Sequence, residues 1–278
     1  MGEATRFATP GARATPSRER QVESKERRQN LWIGSHEFTV VFSLSRALLE
    51  CLSSFTLVFD CRPKSAWNLL RMAEEQPSYK LIYFNARGRA EHIRYIFAHA
   101  GVDYIDERIP KERWPEIKKS MPYGMLPVLE IDGNPIAQSN AVARFLARKY
   151  GLAGENEWES MLCDVLVDTL SDLKLVLFQY RTEEDIFKKE EKKVKLLKET
   201  IPFYLNKFEQ TIVKNGGYAV GTRTTWADFV FAVALENFEQ IFGTSALDNY
   251  PGLRGLKQRV HEIPTIVDWL AKRPQTDF

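Results

Sequence analysis

YKLIYFNARGRAEHIR, residues 79–94, changes its period halfway along. Tyr79, Leu81 and Tyr83 alternate with Lys80, Ile82 and Phe84, the period of two of a strand with one or both faces covered. Gly88 breaks the pattern. From Ala90 the spacing of Ile93, Ile96, Phe97 and Ala100 changes to three and four, which marks one apolar face of a helix. The change of period carries Tyr83 to a strand end facing a helix N-terminus, with the cationic Arg89 beside it. Aromatic rings also simply fill strands, so this window alone leaves Tyr83 as either a packed ring or a functional phenol.

The next informative stretch is MPYGMLPVLEIDGNPIAQSNAVARFLARKYG, residues 121–151. A strand over Val128 to Ile131 is entered through Pro127 and left through the Asp132-Gly133 turn signal, so a hairpin follows. Proline is tolerated at the start of a strand but not inside it, so Pro127 either begins this one or forms a bend, with a cis bond open to it. Gln138-Ser139 then opens a helix with Ala141, Val142, Phe145, Leu146 and Tyr150 on its apolar positions; Ser139 is placed to cap it, and free amides there would welcome a carboxylate.

From Glu155 the apolar spacing is helical throughout, and Trp158, Met161, Leu162, Val165, Leu166 and Leu170 are expected to line one core-facing stripe. Asp168 and Asp172 share a face, which by itself reads as a solvated acidic edge. Thr225-Trp226-Ala227-Asp228 is a capping-box helix start whose role is folding. Pro264 begins a last helix that Trp269 and Leu270 anchor and Arg273-Pro274 ends.

Taken in order, YFNARGRAEHIRYIF, WPEIK, MLPVLE, the Gln-Ser pair, VDTLSD, TWADF and AKRPQTDF make the chain from about Ser78 to Phe278 resemble a sigma-class glutathione S-transferase, the class that includes hematopoietic prostaglandin D synthase. The resemblance implies an α+β thioredoxin-like domain over 78–152 and an all-α domain over 153–278, with 1–77 as an extension. It implies glutathione as co-substrate, with Tyr83 and Arg89 at its thiol. Gln138 and Ser139 would take the γ-glutamyl carboxylate and Trp114 and Lys118 the glycyl end. Leu126, just before Pro127, would pair with the cysteinyl backbone in the manner of an added strand. Phe84, Ala86, Gln179 and Phe278 would line the pocket of an apolar electrophile. It further implies a cytoplasmic homodimer active in detoxification, in which Asp172 reaches the neighbouring subunit's glutathione site. Prostaglandin synthase relatives hold a divalent cation on an acidic cluster here; Ser171 occupies its central position, so neither a required metal nor a tightly bound cofactor is expected. Without the resemblance, Trp114 reads as a packed ring and Lys118 as a solvated helix residue.

Composition sets the remaining bounds. With 278 residues, a net charge of +2 and 44% apolar residues, the chain can bury a sizeable core and has no general affinity for polyanions, so nucleic acid is not indicated. Cys51, Cys61 and Cys163 make neither a C-x-x-C pair nor an even disulfide set, which favours a reducing compartment. None stands at the Tyr83 position, so the chain can assist another molecule's thiol but lacks one of its own there. His36, His92, His99 and His261 show no metal spacing and read as surface or satisfied helix residues.

Residues 1–30 are rich in Arg, Glu, Ser, Thr and Pro, a composition expected to stay disordered. Phe38 to Phe59 is more apolar, but Arg46 and Glu50 interrupt it, each costing about 2.5 kcal/mol at a bilayer centre, so no membrane anchor is expected. Met72 heads a normal start for the family, and residues 1–71 are expected to be dispensable.

Two other functions compete with conjugation of electrophiles. A glutathione-dependent prostaglandin-H2 D-isomerase is weakened by Gln179, which stands where that enzyme has a pocket tryptophan. An S-crystallin-like structural protein is opposed by the joint presence of Tyr83, Arg89, Lys118 and Gln138-Ser139.

Overall fold

The computed structural model describes residues 77–276. Strand β1 (Tyr79–Phe84) runs parallel to β2 (Ile105–Ile109), with helix α1 (Glu91–Ala100) crossing between them. Strands β3 (Val128–Ile131) and β4 (Asn134–Ala137) form the hairpin, and β1 pairs antiparallel with β3, Leu81 opposite Leu129. The sheet order is β2-β1-β3-β4, so β1 is central. Both of its faces are covered. Tyr79 and Leu81 join the main core, whereas Ile82 joins Ile109, Val128 and Ala137 beneath Ile117, Met121 and Leu126 of a segment of short helical turns between β2 and β3.

Helix α2 (Ser139–Lys149) returns along the sheet, and the remainder of the described chain is helical: α3 (Glu157–Arg181), α4 (Ile186–Lys195), α5 (Ile201–Lys214), α6 (Trp226–Phe242), α7 (Pro251–His261) and α8 (Pro264–Lys272). A mixed sheet with its helices followed by an all-helical half is the fold of the glutathione transferases, as the sequence leads one to expect. The hydrophobic core is continuous through both halves: Ile93, Ile96 and Phe97 of α1 share it with Val167 and Leu170 of α3 and Phe229 and Val233 of α6.

Three local expectations change. The core stripe of α3 is Cys163, Val167, Leu170 and Leu173, flanked by Leu162 and Leu166; Trp158 is 67% exposed and Val165 52%, with Met161 also exposed. A long helix of period 3.6 carries room for two apolar stripes, and the sequence alone merged them. Ser139 is the first residue of α2, and Gln138 holds the cap position without a side-chain cap bond. His92 is buried on α1, with its Nε2 lacking a hydrogen-bond partner among the described residues.

Candidate functional site

The site begins where β1 runs into α1. The Arg89 N–H donates to the Tyr83 hydroxyl at 3.1 Å. Because the phenol oxygen accepts there, its own proton is free to donate to a further group. Gly88 makes this approach possible: its φ is +41°, and a Cβ built on it would lie 2.5 Å from the Tyr83 hydroxyl oxygen. The glycine thus does more than break the strand pattern, since no larger residue fits against the ring.

The turn around it is held from beneath by buried charge. Arg94, fully buried, donates to the Ala86 carbonyl at 2.8 Å and pairs with Glu91 at 2.9 Å and Asp106 at 3.1 Å. Glu91 also accepts from Trp269 at 2.9 Å and Arg273 at 3.0 Å. Arg273 and Arg87 each reach Glu236 at 2.6 Å, and Arg87 bonds the Thr276 carbonyl at 3.2 Å. Burial opposes the charge on Glu236, but these two guanidiniums outweigh it and hold its carboxyl below the usual range. The network ties the tyrosine's turn, α6 and the end of α8 into one seam, which no local spacing announces because its members lie far apart along the chain.

Phe84 follows Tyr83 and meets Trp114 edge to face, ring centroids 5.6 Å apart. Lys118 is exposed on the same short-turn segment, beside Gly124. The Leu126-Pro127 bond is cis, and Pro127 is the buried bend before β3. Gln138 has φ +75°, outside the range ordinary residues favour, and its amide nitrogen lies 3.6 Å from the Met125 sulfur. Strained backbone of this kind clusters at functional sites. The amides that open α2 have no side-chain cap to take them up.

Elements distant in sequence complete the cleft. Asn140 donates to the Ser171 hydroxyl at 3.2 Å, which lays α3 across the start of α2. Lys174, one turn further along α3, is half-buried; burial and the nearby Arg89 push its ammonium down to about 8. Its charge also reaches His92, whose ring lies against the Ser139 backbone and is pushed down to about 3, chiefly by burial. Lys174 shares the Val167–Ser171–Phe178 side of α3, not the acidic side. Asp172 and Gln179 are on that acidic, exposed side with Leu175. Thus Tyr83, Arg89, Phe84, Ala86 and Trp114 are gathered at one strand end, while Asp172 and Gln179 are exposed on α3. Phe278 and the extension lie outside the described residues. Among the described residues no group of three His, Cys, Asp or Glu side chains converges as a metal site, and no helix is long and apolar enough to cross a membrane.

A mixed sheet whose central strand runs into a helix start, backed by an all-helical half, is the arrangement of the glutathione transferase fold. Family comparison agrees. The description "Glutathione S-transferase, N-terminal domain" matches residues 79–148, and "Glutathione S-transferase, C-terminal domain" matches 171–273. The chain is 42% identical over 202 residues to glutathione S-transferase S1 of Drosophila melanogaster, covering 72% of this chain and 80% of that protein. It is 40% identical over 200 residues to human hematopoietic prostaglandin D synthase, 72% and 98% covered. The solved structure of prostaglandin synthase D from Nilaparvata lugens superposes with a TM-score of 0.69 at 41% identity, covering 72% of this chain and all of that one. The chain belongs to the glutathione S-transferase family and is a glutathione S-transferase by fold and descent.

Proposed function

We propose that this transferase is of the sigma class and activates the glutathione thiol with Tyr83 for addition to electrophiles of xenobiotic or lipid origin. The observation that carries this reading is the Arg89 N–H bonded to the Tyr83 hydroxyl, which leaves the phenol proton for the sulfur. In this reading residues 78–152 bind glutathione and 153–278 the acceptor. Gln138, Ser139 and the uncapped amides of α2 take the γ-glutamyl carboxylate, Trp114 and Lys118 the glycyl end, and the main chain at Leu126 and Pro127 the cysteinyl backbone. Arg89 adds positive potential at the sulfur. Phe84 and Ala86 border the acceptor, with Gln179 and Phe278 assigned to its mouth. Glutathione is a co-substrate, with no tightly bound cofactor or metal.

A cytoplasmic homodimer is part of the proposal. Trp158, Met161, Val165 and Leu175 along α3, together with Tyr123 and Phe145, leave an apolar face uncovered on one protomer. A second copy burying that face would bring Asp172 toward the neighbouring glutathione site. Prostaglandin isomerisation is the second reading, favoured by the relatives that bear that name and opposed by Gln179.

Retention on immobilised glutathione together with conjugation of 1-chloro-2,4-dinitrobenzene tests the proposal. Binding without conjugation would reduce the protein to a glutathione-binding scaffold, and absence of both would remove the reading altogether.

A further inference from the structure

The hydrogen bond on Tyr83 comes from a peptide that local sterics do not fix. That peptide joins Gly88 to Arg89, and Gly88, at φ +41°, has no Cβ to restrict it. Its pose is set by what holds the residues on either side. The Arg87 carbonyl accepts from Ala90 N–H at 3.2 Å and from Glu91 N–H at 3.1 Å, which opens α1. The Arg87 side chain, only 5% exposed, leaves the turn for the helical half. There its Nη1 donates to Glu236 Oε1 of α6 at 2.6 Å and its Nη2 to the Thr276 carbonyl at 3.2 Å.

Glu236 is itself pinned. The same Oε1 accepts from Arg273 Nη2 at 2.6 Å, just past the end of α8, so one oxygen takes both guanidiniums. Arg94 holds the earlier part of the turn, at the Ala86 carbonyl, and is paired with Glu91 and Asp106. It is Arg87 that borders Gly88. Burial opposes the charge on Glu236, but Arg273 and Arg87 keep its carboxyl below the usual range, so it is an anion near neutral pH. His261 and Tyr95 are further titratable groups that its charge reaches.

We propose that Glu236, acting through Arg87, is a positioning residue for thiol activation: it fixes the peptide whose N–H orients the Tyr83 hydroxyl. The inference rests on the transferase reading above and adds to its machinery a residue of the helical half. Glu236 touches no reacting atom. The direction of its effect separates position from charge. Removing a carboxylate from beside two guanidiniums makes the field at the site more positive, which favours thiolate. Loosening the turn takes the phenol out of line with the sulfur, which favours thiol. The proposal requires the second effect to win.

Two variants of the full chain test it. Glu236→Gln removes the charge at nearly constant size, and Glu236→Asp keeps the charge but draws it back from Arg87 by one methylene. The thiol of bound glutathione is titrated through the ultraviolet absorbance of its thiolate. In both variants it should titrate about one pH unit above wild type. With 1-chloro-2,4-dinitrobenzene at pH 7, kcat should fall about five-fold, mostly from lost alignment, while KM for glutathione stays within about two-fold. In Tyr83→Phe the same substitutions should change kcat by less than about two-fold, because the hydroxyl they position is absent. Asp228→Ala weakens α6 without touching the turn, and there the bound thiol should titrate as in wild type. If Glu236→Gln does not fold, Glu236→Asp carries the test with the same expected direction. A thiol that titrates at or below the wild-type value overturns the proposal, as does a kcat loss that persists undiminished in Tyr83→Phe or a matching rise in Asp228→Ala. A wild type that shows neither bound thiolate nor conjugation fails the transferase reading, and this role falls with it.

Discussion

Tyr83 and Gly88 act as a pair, and the size of their effects can be estimated. A thiol of pKa about 8.5 is only a few per cent ionised at pH 7, and bringing it to about 6.5 raises the thiolate fraction roughly twenty-five-fold. Nucleophilicity falls with pKa at a slope of about 0.4 to 0.5, which returns roughly six- to ten-fold of that gain. Ionisation alone is thus a small benefit, and the larger share comes from holding sulfur against the acceptor. Tyr83→Phe should bind glutathione within a few-fold of wild type while kcat at pH 7 falls about ten- to a hundred-fold, less than the loss typical of an oxyanion-hole donor. Its rate should climb toward the free-thiol pKa; an unchanged kcat and pH profile would remove Tyr83 from the mechanism. Gly88→Ala is the complementary test, because its Cβ would sit 2.5 Å from the phenol oxygen. It should lower kcat/KM about ten-fold or more in the wild type but far less in Tyr83→Phe, where the oxygen it strikes is gone. Additive losses would show that the glycine serves the turn and not the tyrosine.

At the scale of elements, the start of α6 is stronger than its sequence signature. The capping box Thr225–Asp228 is present, with Asp228 accepting from Thr225 N–H at 2.9 Å and the Thr225 hydroxyl at 2.8 Å. Asp228 also accepts from Ala219 N–H at 3.0 Å and Arg259 at 3.3 Å, partners that no local spacing announces. A lone cap is worth about 1 kcal/mol, whereas Asp228→Ala leaves buried donors and a guanidinium without their acceptor and should cost about 3 kcal/mol in chemical denaturation. A cost near that of a simple cap would mean that water replaces the carboxylate. Helix α1 carries a pH-dependent weakness of its own. His92 is pushed down to about 3, so between about 6.5 and 3 the unfolded chain takes up a proton that the folded ring refuses. Its neutral form leaves stability intact above 6.5, and stability falls as pH drops through that window, by about 2 kcal/mol from pH 7 to 5. His99 and His261, also lowered mainly by burial, act in the same sense. His92→Leu should remove its own share, about 4–8 °C of the Tm loss between pH 7 and 5; an undiminished loss would place the titration elsewhere. The strand, the hairpin and the α1 face were legible because their periods differ sharply. The two stripes of α3 and the burial of His92 were not, since a periodic helix does not announce which of its sides meets a neighbour.

On the scale of the whole molecule, what the sequence concealed is long-range. Arg87, Glu91 and Arg94 on one half and Glu236 and Arg273 on the other read individually as helix charges, and only the folded chain makes them a seam. Motif order picks out the candidate site at Tyr83, Gly88 and Gln138-Ser139, whereas Lys174 reads in sequence as one more helix charge and only the fold shows it half-buried. The same view bears on the N-terminal extension. Strand β1 begins at Tyr79, already buried, and Ser78 N–H donates to the Asp132 carboxylate at 2.8 Å, so the central strand is fixed from its first residue by partners within 77–276. Human hematopoietic prostaglandin D synthase and the Nilaparvata lugens structure are matched over 98% and 100% of their lengths by 72% of this chain, and the family match begins at residue 79, so a transferase fold closes without the first quarter of this chain. The composition of residues 1–30 also offers little apolar area to add to a core. A chain beginning at Met72 should therefore melt within about 2 °C of the full protein and conjugate 1-chloro-2,4-dinitrobenzene within about two-fold of its kcat/KM. Scanning calorimetry and steady-state kinetics on the two chains, side by side, check this. A truncated protein that melts about 10 °C lower, or that loses conjugation while still folded, would make residues 1–71 part of the working enzyme.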